Sequence, residues 1–168
     1  MYKTIMSAVV LGAATLNPLQ AGAADDARSS IHITANIPNK QFHVQPRNPD
    51  FGKDEVMHYD PVHKTLSILR HTYDVKNTEG SVHAYIEGGL PWLTNGSADP
   101  LKGIPLLVRF NNVTLSAIPQ EVVDDATSTP GTQAEMVIRN ASVIQDHQTG
   151  LYNADFTVIF DAVPRVPL

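Results

Sequence analysis

The sequence predicts an all-β fold of the immunoglobulin-like sandwich type, on three observations. Short runs rich in Val, Ile, Thr, Phe and Tyr recur at regular spacing, as the strands of a two-sheet sandwich do. Turn signals separate them: Asp60-Pro61, Asn77-Thr78-Glu79-Gly80, Gly88-Gly89, Asn95-Gly96, Asp99-Pro100, Thr129-Pro130-Gly131 and Thr149-Gly150. Ten glycines and 12 prolines leave few breaker-free windows of the ~10 residues that a helix needs.

Taken in order, Met1 opens a segment that reads as a secretory signal. Lys3 supplies a positive start, residues 5–16 an apolar stretch, and Ala21-Gly22-Ala23 a small-residue cleavage site before Ala24. The expected organisation is therefore a signal peptide over 1–23, an N-terminal extension over 24–37 and one domain over 38–168. Residues 24–29 are polar and read as a lead into the first alternating stretch.

That stretch, Ser30-Ile31-His32-Ile33-Thr34-Ala35-Asn36-Ile37, sets Ile31, Ile33, Ala35 and Ile37 on one face and His32, Thr34 and Asn36 on the other. This is the period of a half-buried strand, and Pro38 stops it. Its apolar face needs a partner, in its own domain or in another chain.

A second alternation, with Phe42 and Val44 on one face, closes at Pro46. Further strands are expected over residues 55–59, 65–74, 81–87, 104–110, 113–118, 134–143 and 152–162. Residues 122–126 have room for one helical turn. The last strand is the most regular: Tyr152, Ala154, Phe156, Val158 and Phe160 alternate with polar neighbours, which suggests a central position in its sheet. The tail from Val163 is expected to leave the sheet at Pro164 and Pro167.

Charge and composition exclude several functions. Lys3 is the only charged residue of the signal, so the exported chain is one unit more acidic than the full sequence at −5. An acidic surface disfavours nucleic acid and anionic membranes as partners. The absence of cysteine excludes disulfides, thiol chemistry and cysteine-ligated metals.

Seven histidines show no H-x-H or H-E-x-x-H spacing, so they read as polar-face residues of solvated strands. Asp25-Asp26 and Asp124-Asp125 are adjacent along the chain, which is poor geometry for an acid/base pair, and both read as solvated loop charges. There is no G-x-S-x-G elbow and no phosphate loop. Trp92 lies in Gly88-Gly89-Leu90-Pro91-Trp92-Leu93, where it either anchors a loop or stacks on a sugar. The acceptor triplets at Asn95, Asn112 and Asn140 matter only in a eukaryotic secretory pathway.

Three stretches together resemble the alpha-class, colonisation-factor (CS-type) fimbrial subunits, pilins of the alternate chaperone–usher pathway. Ile31-His32-Ile33-Thr34-Ala35-Asn36-Ile37 is similar to their apolar-x-Val-Thr-Ala-x-Val opening. Met57-His58-Tyr59-Asp60-Pro61-Val62-His63-Lys64-Thr65-Leu66 resembles apolar-x-Tyr-x-Pro-x-x-Lys-x-apolar. Thr149-Gly150-Leu151-Tyr152-Asn153-Ala154 resembles Thr-x-Gly-x-Tyr-x-Gly, with Ala154 in place of the last glycine.

The resemblance implies an incomplete immunoglobulin-like domain whose missing strand comes from the next subunit. Ile31, Ile33, Ala35 and Ile37 would then be the donor face, with Tyr152, Ala154, Phe156, Val158 and Phe160 bordering the receiving groove. It implies a non-enzymatic, cofactor-free subunit of an adhesive fimbria at the cell surface, exported through the periplasm. Its partners would be neighbouring subunits in a head-to-tail homopolymer, a periplasmic chaperone, an outer-membrane usher and a tip adhesin. Two other readings stay open on sequence: a self-complete immunoglobulin-like binding module using Trp92, and a small periplasmic hydrolase or metalloprotein using the histidines.

Overall fold

The computed structural model describes residues 31–37 and 39–166. The expected signal, the polar lead and Pro38 lie outside them. The chain divides into two units, Met1–Asn36 and Ile37–Leu168, and the fold is that of the second.

Its strands are β1 (Phe42–Pro46), β2 (Tyr59–Asp60), β3 (Thr65–Leu66), β4 (Leu69–Asn77), β5 (Gly80–Ile86), β6 (Trp92–Leu93), β7 (Ile104–Phe110), β8 (Val113–Thr114), β9 (Gln120–Val123), β10 (Thr132–Asn140) and β11 (Val158–Pro164), with one helical turn, α1 (Asp125–Ser128). The larger sheet runs β1-β4-β10-β7-β6, with β8 also on β7; the smaller runs β11-β5-β9; β2 and β3 form a separate ladder. Every pairing is antiparallel. The all-β sandwich expected from the strand spacing is the observed architecture.

The two-residue period of each long strand builds the core. In β10, Ala134, Met136 and Ile138 are buried while Gln133, Glu135 and Arg139 face out; β7 buries Ile104, Leu106, Val108 and Phe110. Opposite them β5 contributes Val82, Ala84 and Ile86. Tyr73, Phe110 and Phe160 form an aromatic knot, with ring centroids 5.3, 4.9 and 5.9 Å apart. Edge-to-face and tilted contacts of this kind suit the ring quadrupole.

Several expected boundaries move. The 65–74 run divides into β3 and β4, and the 113–118 run keeps ladder only at Val113–Thr114. Residues 122–126 do not form the helical turn: Val122 and Val123 end β9, buried on the core side, and the turn starts at Asp125. Asp124 caps it, its carboxylate accepting from the Thr127 N–H at 2.7 Å. Asp124 and Asp125 are thus structural groups rather than loose loop charges.

The expected final strand over 152–162 is also displaced. Only Val158–Pro164 is laddered, on β5, and β11 is an edge strand rather than a central one. The tail does not leave at Val163: Val163 lies opposite Ser81, Pro164 opposite Gly80, and the Arg165 N–H donates to the Glu79 carbonyl at 2.8 Å. An edge strand tolerates a proline. Gly80 makes the approach possible, since a Cβ there would run into the Val163 carbonyl and the Arg165 amide.

The Arg165 guanidinium grips Asp125 with two bonds, 2.8 and 2.6 Å, and Thr129 Oγ1 at 3.0 Å. The hydrogen bonds from Arg165 and then Thr129 hold the Asp125 carboxyl down at about 2, from an ordinary 3.8. A carboxylate depressed on folding stabilises fully above its unfolded pKa and ceases to as pH falls through the folded one. Asp125→Asn is therefore expected to lower the thermal midpoint at neutral pH and to flatten its fall between about pH 4 and 2, the two proteins converging at the acid end. The pair is exposed, so the effect is small. Parallel melting curves over that pH range would contradict this assignment.

Candidate functional site

A cleft of about 850 Å³ opens on the core between two non-adjacent runs of chain. One wall is residues 51–57; the other is residues 150–156 continued by Val158 and Phe160. Leu69, Tyr73, Leu106, Met136 and Ile138 of the larger sheet form its floor. An apolar cavity of about 150 Å³ already accommodates a benzene ring, so this one has room for several aliphatic side chains.

The first wall is pinned at both ends. Near its start Phe51 stacks on His71, centroids 3.7 Å apart, and meets Tyr73 edge-on at 6.0 Å. Glu55 reaches His71 Nε2 at 3.4 Å and accepts from the Gly52 N–H at 3.2 Å. At the far end the His58 N–H donates to Ser67 Oγ and the Ser67 N–H to the His58 carbonyl. Between these anchors residues 55–57 have no ladder partners among the described residues, so the strand expected over 55–59 survives only as Tyr59 in β2.

The second wall is similar. Asn153 exchanges two 2.9 Å bonds with Thr94, and Thr157 O accepts from the Glu87 N–H. Residues 154–156 carry no ladder. Tyr152, Ala154, Phe156, Val158 and Phe160 all line the cleft and are half-buried, whereas Leu151, Asn153 and Asp155, which also border it, and Thr157 are exposed. The alternation of the sequence is thus present in the structure, without ladder over 154–156 and paired on β5 from Val158 onward.

The floor is uncharged. Burial pushes the Tyr73 hydroxyl up to about 12, and it donates to Met136 Sδ at 3.8 Å. Lys53, Asp54 and Glu55 belong to the first wall, and the floor is aliphatic, aromatic and thioether. Such a floor suits an apolar strand.

Ile31, Ile33 and Ile37 are 80%, 83% and 81% exposed, Ala35 is exposed, and no ladder forms over 31–37. His32 Nε2 lies 3.1 Å from Thr34 Oγ1, which puts these two polar side chains on a common face. Among the described residues no group of three or more His, Asp or Glu is placed to hold a metal. His63 is engaged with Asp60 at 2.6 Å, and His71 with Phe51 and Glu55. Trp92 is 49% exposed, lies against Gly103 at the position a Cβ would meet at 3.1 Å, and does not line the cleft.

Residues 27–161 match the family model of the CS1 type fimbrial major subunit. The chain belongs to this family. It is a structural fimbrial subunit that polymerises with other subunits, and its location is the fimbrium. Among solved structures it is similar to the CooA pilin subunit from enterotoxigenic Escherichia coli, with 16% identity over 62% of this chain and 75% of that one and a TM-score of 0.49. No curated protein matches it.

For this fimbrial subunit the sequence pointed to one wall of the cleft and missed the other. Phe51 and Met57 sit in a stretch with Asp50, Lys53, Asp54 and Glu55, where no period-two pattern marks an inward face. Their role comes from the His71 and Ser67 anchors, which are distant in sequence.

Proposed function

We propose that these fimbrial subunits join by donor-strand complementation, with residues 24–37 of one copy as the extension and the 38–168 domain of the next as acceptor. Ile31, Ile33, Ala35 and Ile37 enter the cleft, and the backbone of 31–37 pairs with the open edges of the two walls. The observation that carries this reading is a cleft with an aliphatic and aromatic floor, bordered by residues 55–57 and 154–156, which have no ladder partner among the described residues, in a chain that also exposes an alternating apolar segment.

The dimensions agree. Seven residues at about 3.4 Å each span about 24 Å, which fits within the nine-residue wall from Tyr152 to Phe160, about 31 Å at the same rise. Each isoleucine buried contributes ~1.5–3 kcal/mol before ordering costs. Main-chain bonds fix the strand and alternate side chains fix its register, the strand-addition mode that chaperone–pilin complexes use. Donor and acceptor are different surfaces of the same chain, so the contact is head-to-tail and generates a filament.

An open apolar edge is an aggregation hazard before assembly. That supports export through the periplasm after removal of residues 1–23, with a chaperone covering the groove, an usher at the outer membrane and a tip adhesin completing the adhesive fibre. The role is structural and involves no turnover or cofactor.

The mature chain lacking 24–37, offered a synthetic peptide of residues 29–37, tests the joint. The peptide is expected to raise the melting temperature strongly and to co-elute with the domain. A truncated domain already stable and indifferent to the peptide would sink the proposal in favour of a self-complete module.

A further inference from the structure

The two outer faces of the sandwich carry opposite charge. On the larger sheet Arg70, Lys76, Arg109 and Arg139 project outward against Asp74 and Glu135, although the whole chain is at −5. On the smaller sheet the outward positions include Glu121 of β9 and Asp161 of β11, with His83 of β5 between them as the only titratable base of that row.

Register makes the match geometric. Val137 lies directly opposite Arg70 on one side and Arg109 on the other, so two guanidiniums flank one half-buried apolar residue across three strands. His83 likewise lies opposite Asp161 and Glu121, giving two carboxylates across three strands. In both rows the charged positions are two strand spacings apart, about 9.5 Å. Each row also borders apolar surface: Leu107 opposite Arg139 on the basic face, Ile159 opposite Tyr85 on the acidic one.

These charges are incompletely satisfied within the chain. Arg139 and Asp161 have no ion-pair partner among the described residues. Arg109 donates from Nη2 to the Asn112 carbonyl at 2.8 Å, but its Nε is buried without a partner. Arg70 is held by Glu135 at 2.9 Å, and His83 stands 4.0 Å from Glu121.

We infer that within a fibre the basic outer face of the larger sheet docks on the acidic outer face of the smaller sheet of another copy. This rests on the donor-strand reading, because strand-linked copies meet at high effective concentration and a weak contact then suffices. Apolar centres rimmed by complementary charge are the anatomy of a specific interface. The two faces belong to opposite sides of one chain, so the contact is again open-ended and propagates along the fibre.

The test uses full-length fibres carrying Arg139→Glu, Asp161→Lys, or both. Each single reversal is expected to leave the donor-linked multimer ladder intact while compact fibres give way to thin, uncoiled ones in negative stain, as 1 M salt should do to the wild type. The double reversal is expected to restore compact fibres. Singles as compact as wild type, or a double no better than the singles, would overturn the inference. Should Asp161→Lys fold poorly, Glu121→Lys, at the exposed position of β9, tests the same face with the same two outcomes. Loss of the ladder together with peptide binding would instead count against the donor joint. Capture of a sulfated glycan by wild-type fibres through Arg139, with no change of fibre form in the singles, would reassign the basic face to an anionic ligand.

Discussion

Ile33→Asp in the full-length subunit is expected to abolish polymerisation, reducing donor affinity by more than a thousandfold. Under the donor-strand proposal the change removes ~1.5–3 kcal/mol of apolar burial and sets an unpaired carboxylate in a cleft whose floor is aliphatic and aromatic, which costs several kcal/mol more. At 1.4 kcal/mol per factor of ten, a loss of about 5 kcal/mol exceeds three orders of magnitude. Thr34→Asp is the matched control, since Thr34 and His32 lie together on the polar face; its effect is expected to stay within about tenfold. Multimer ladders and the exchange rate of the free 29–37 peptide read both variants. If Thr34→Asp blocked assembly and Ile33→Asp did not, the strand would enter with its opposite face inward, because a one-residue slip exchanges the two faces.

The elements legible in the sequence are those whose pattern is imposed by a core on one side. Residues 104–110 alternate against that core and form β7 as expected, and 81–87 form β5 within a residue. The inward set Tyr152, Ala154, Phe156, Val158 and Phe160 was legible for the same reason, and the structure places all five along the cleft. What the pattern could not supply was their hydrogen-bonding state. Periodicity reports which face is apolar, whereas a ladder needs a neighbour, and over residues 154–156 the chain provides none.

Other differences come from tertiary partners invisible in local composition. Residues 122–126 read as room for one helical turn, yet Val122 and Val123 bury against the core from β9, and Asp124 supplies the cap one residue later. Pro164 read as a strand terminator, but Gly80 lets it lie along β5 and Arg165 locks the end to Asp125. The prediction of a central final strand has a physical resolution within the donor-strand proposal. β11 is an edge of the three-stranded sheet in one subunit; a donor paired along it would give it a neighbour on each side, the setting its clean alternation suits.

A pair of phenylalanine truncations separates fold from joint. Phe110 is 0% exposed and contacts both Tyr73 and Phe160, so Phe110→Ala is expected to cost ~3–5 kcal/mol. Against a typical total of about 5–15 kcal/mol this leaves the open domain close to unfolding. The cost should be the same with and without the 29–37 peptide, because Phe110 is already buried before the groove fills. Phe160 touches the same knot but is half-buried on the cleft side. Phe160→Ala should therefore cost less than Phe110→Ala in the open domain, and its cost should grow when the peptide is bound and covers that ring. Urea unfolding midpoints of both variants, each with and without peptide, give the four numbers required. A Phe160→Ala penalty unaffected by the peptide would place the bound strand away from this wall, whereas a peptide-dependent Phe110→Ala penalty would mean the core itself rearranges as the groove closes.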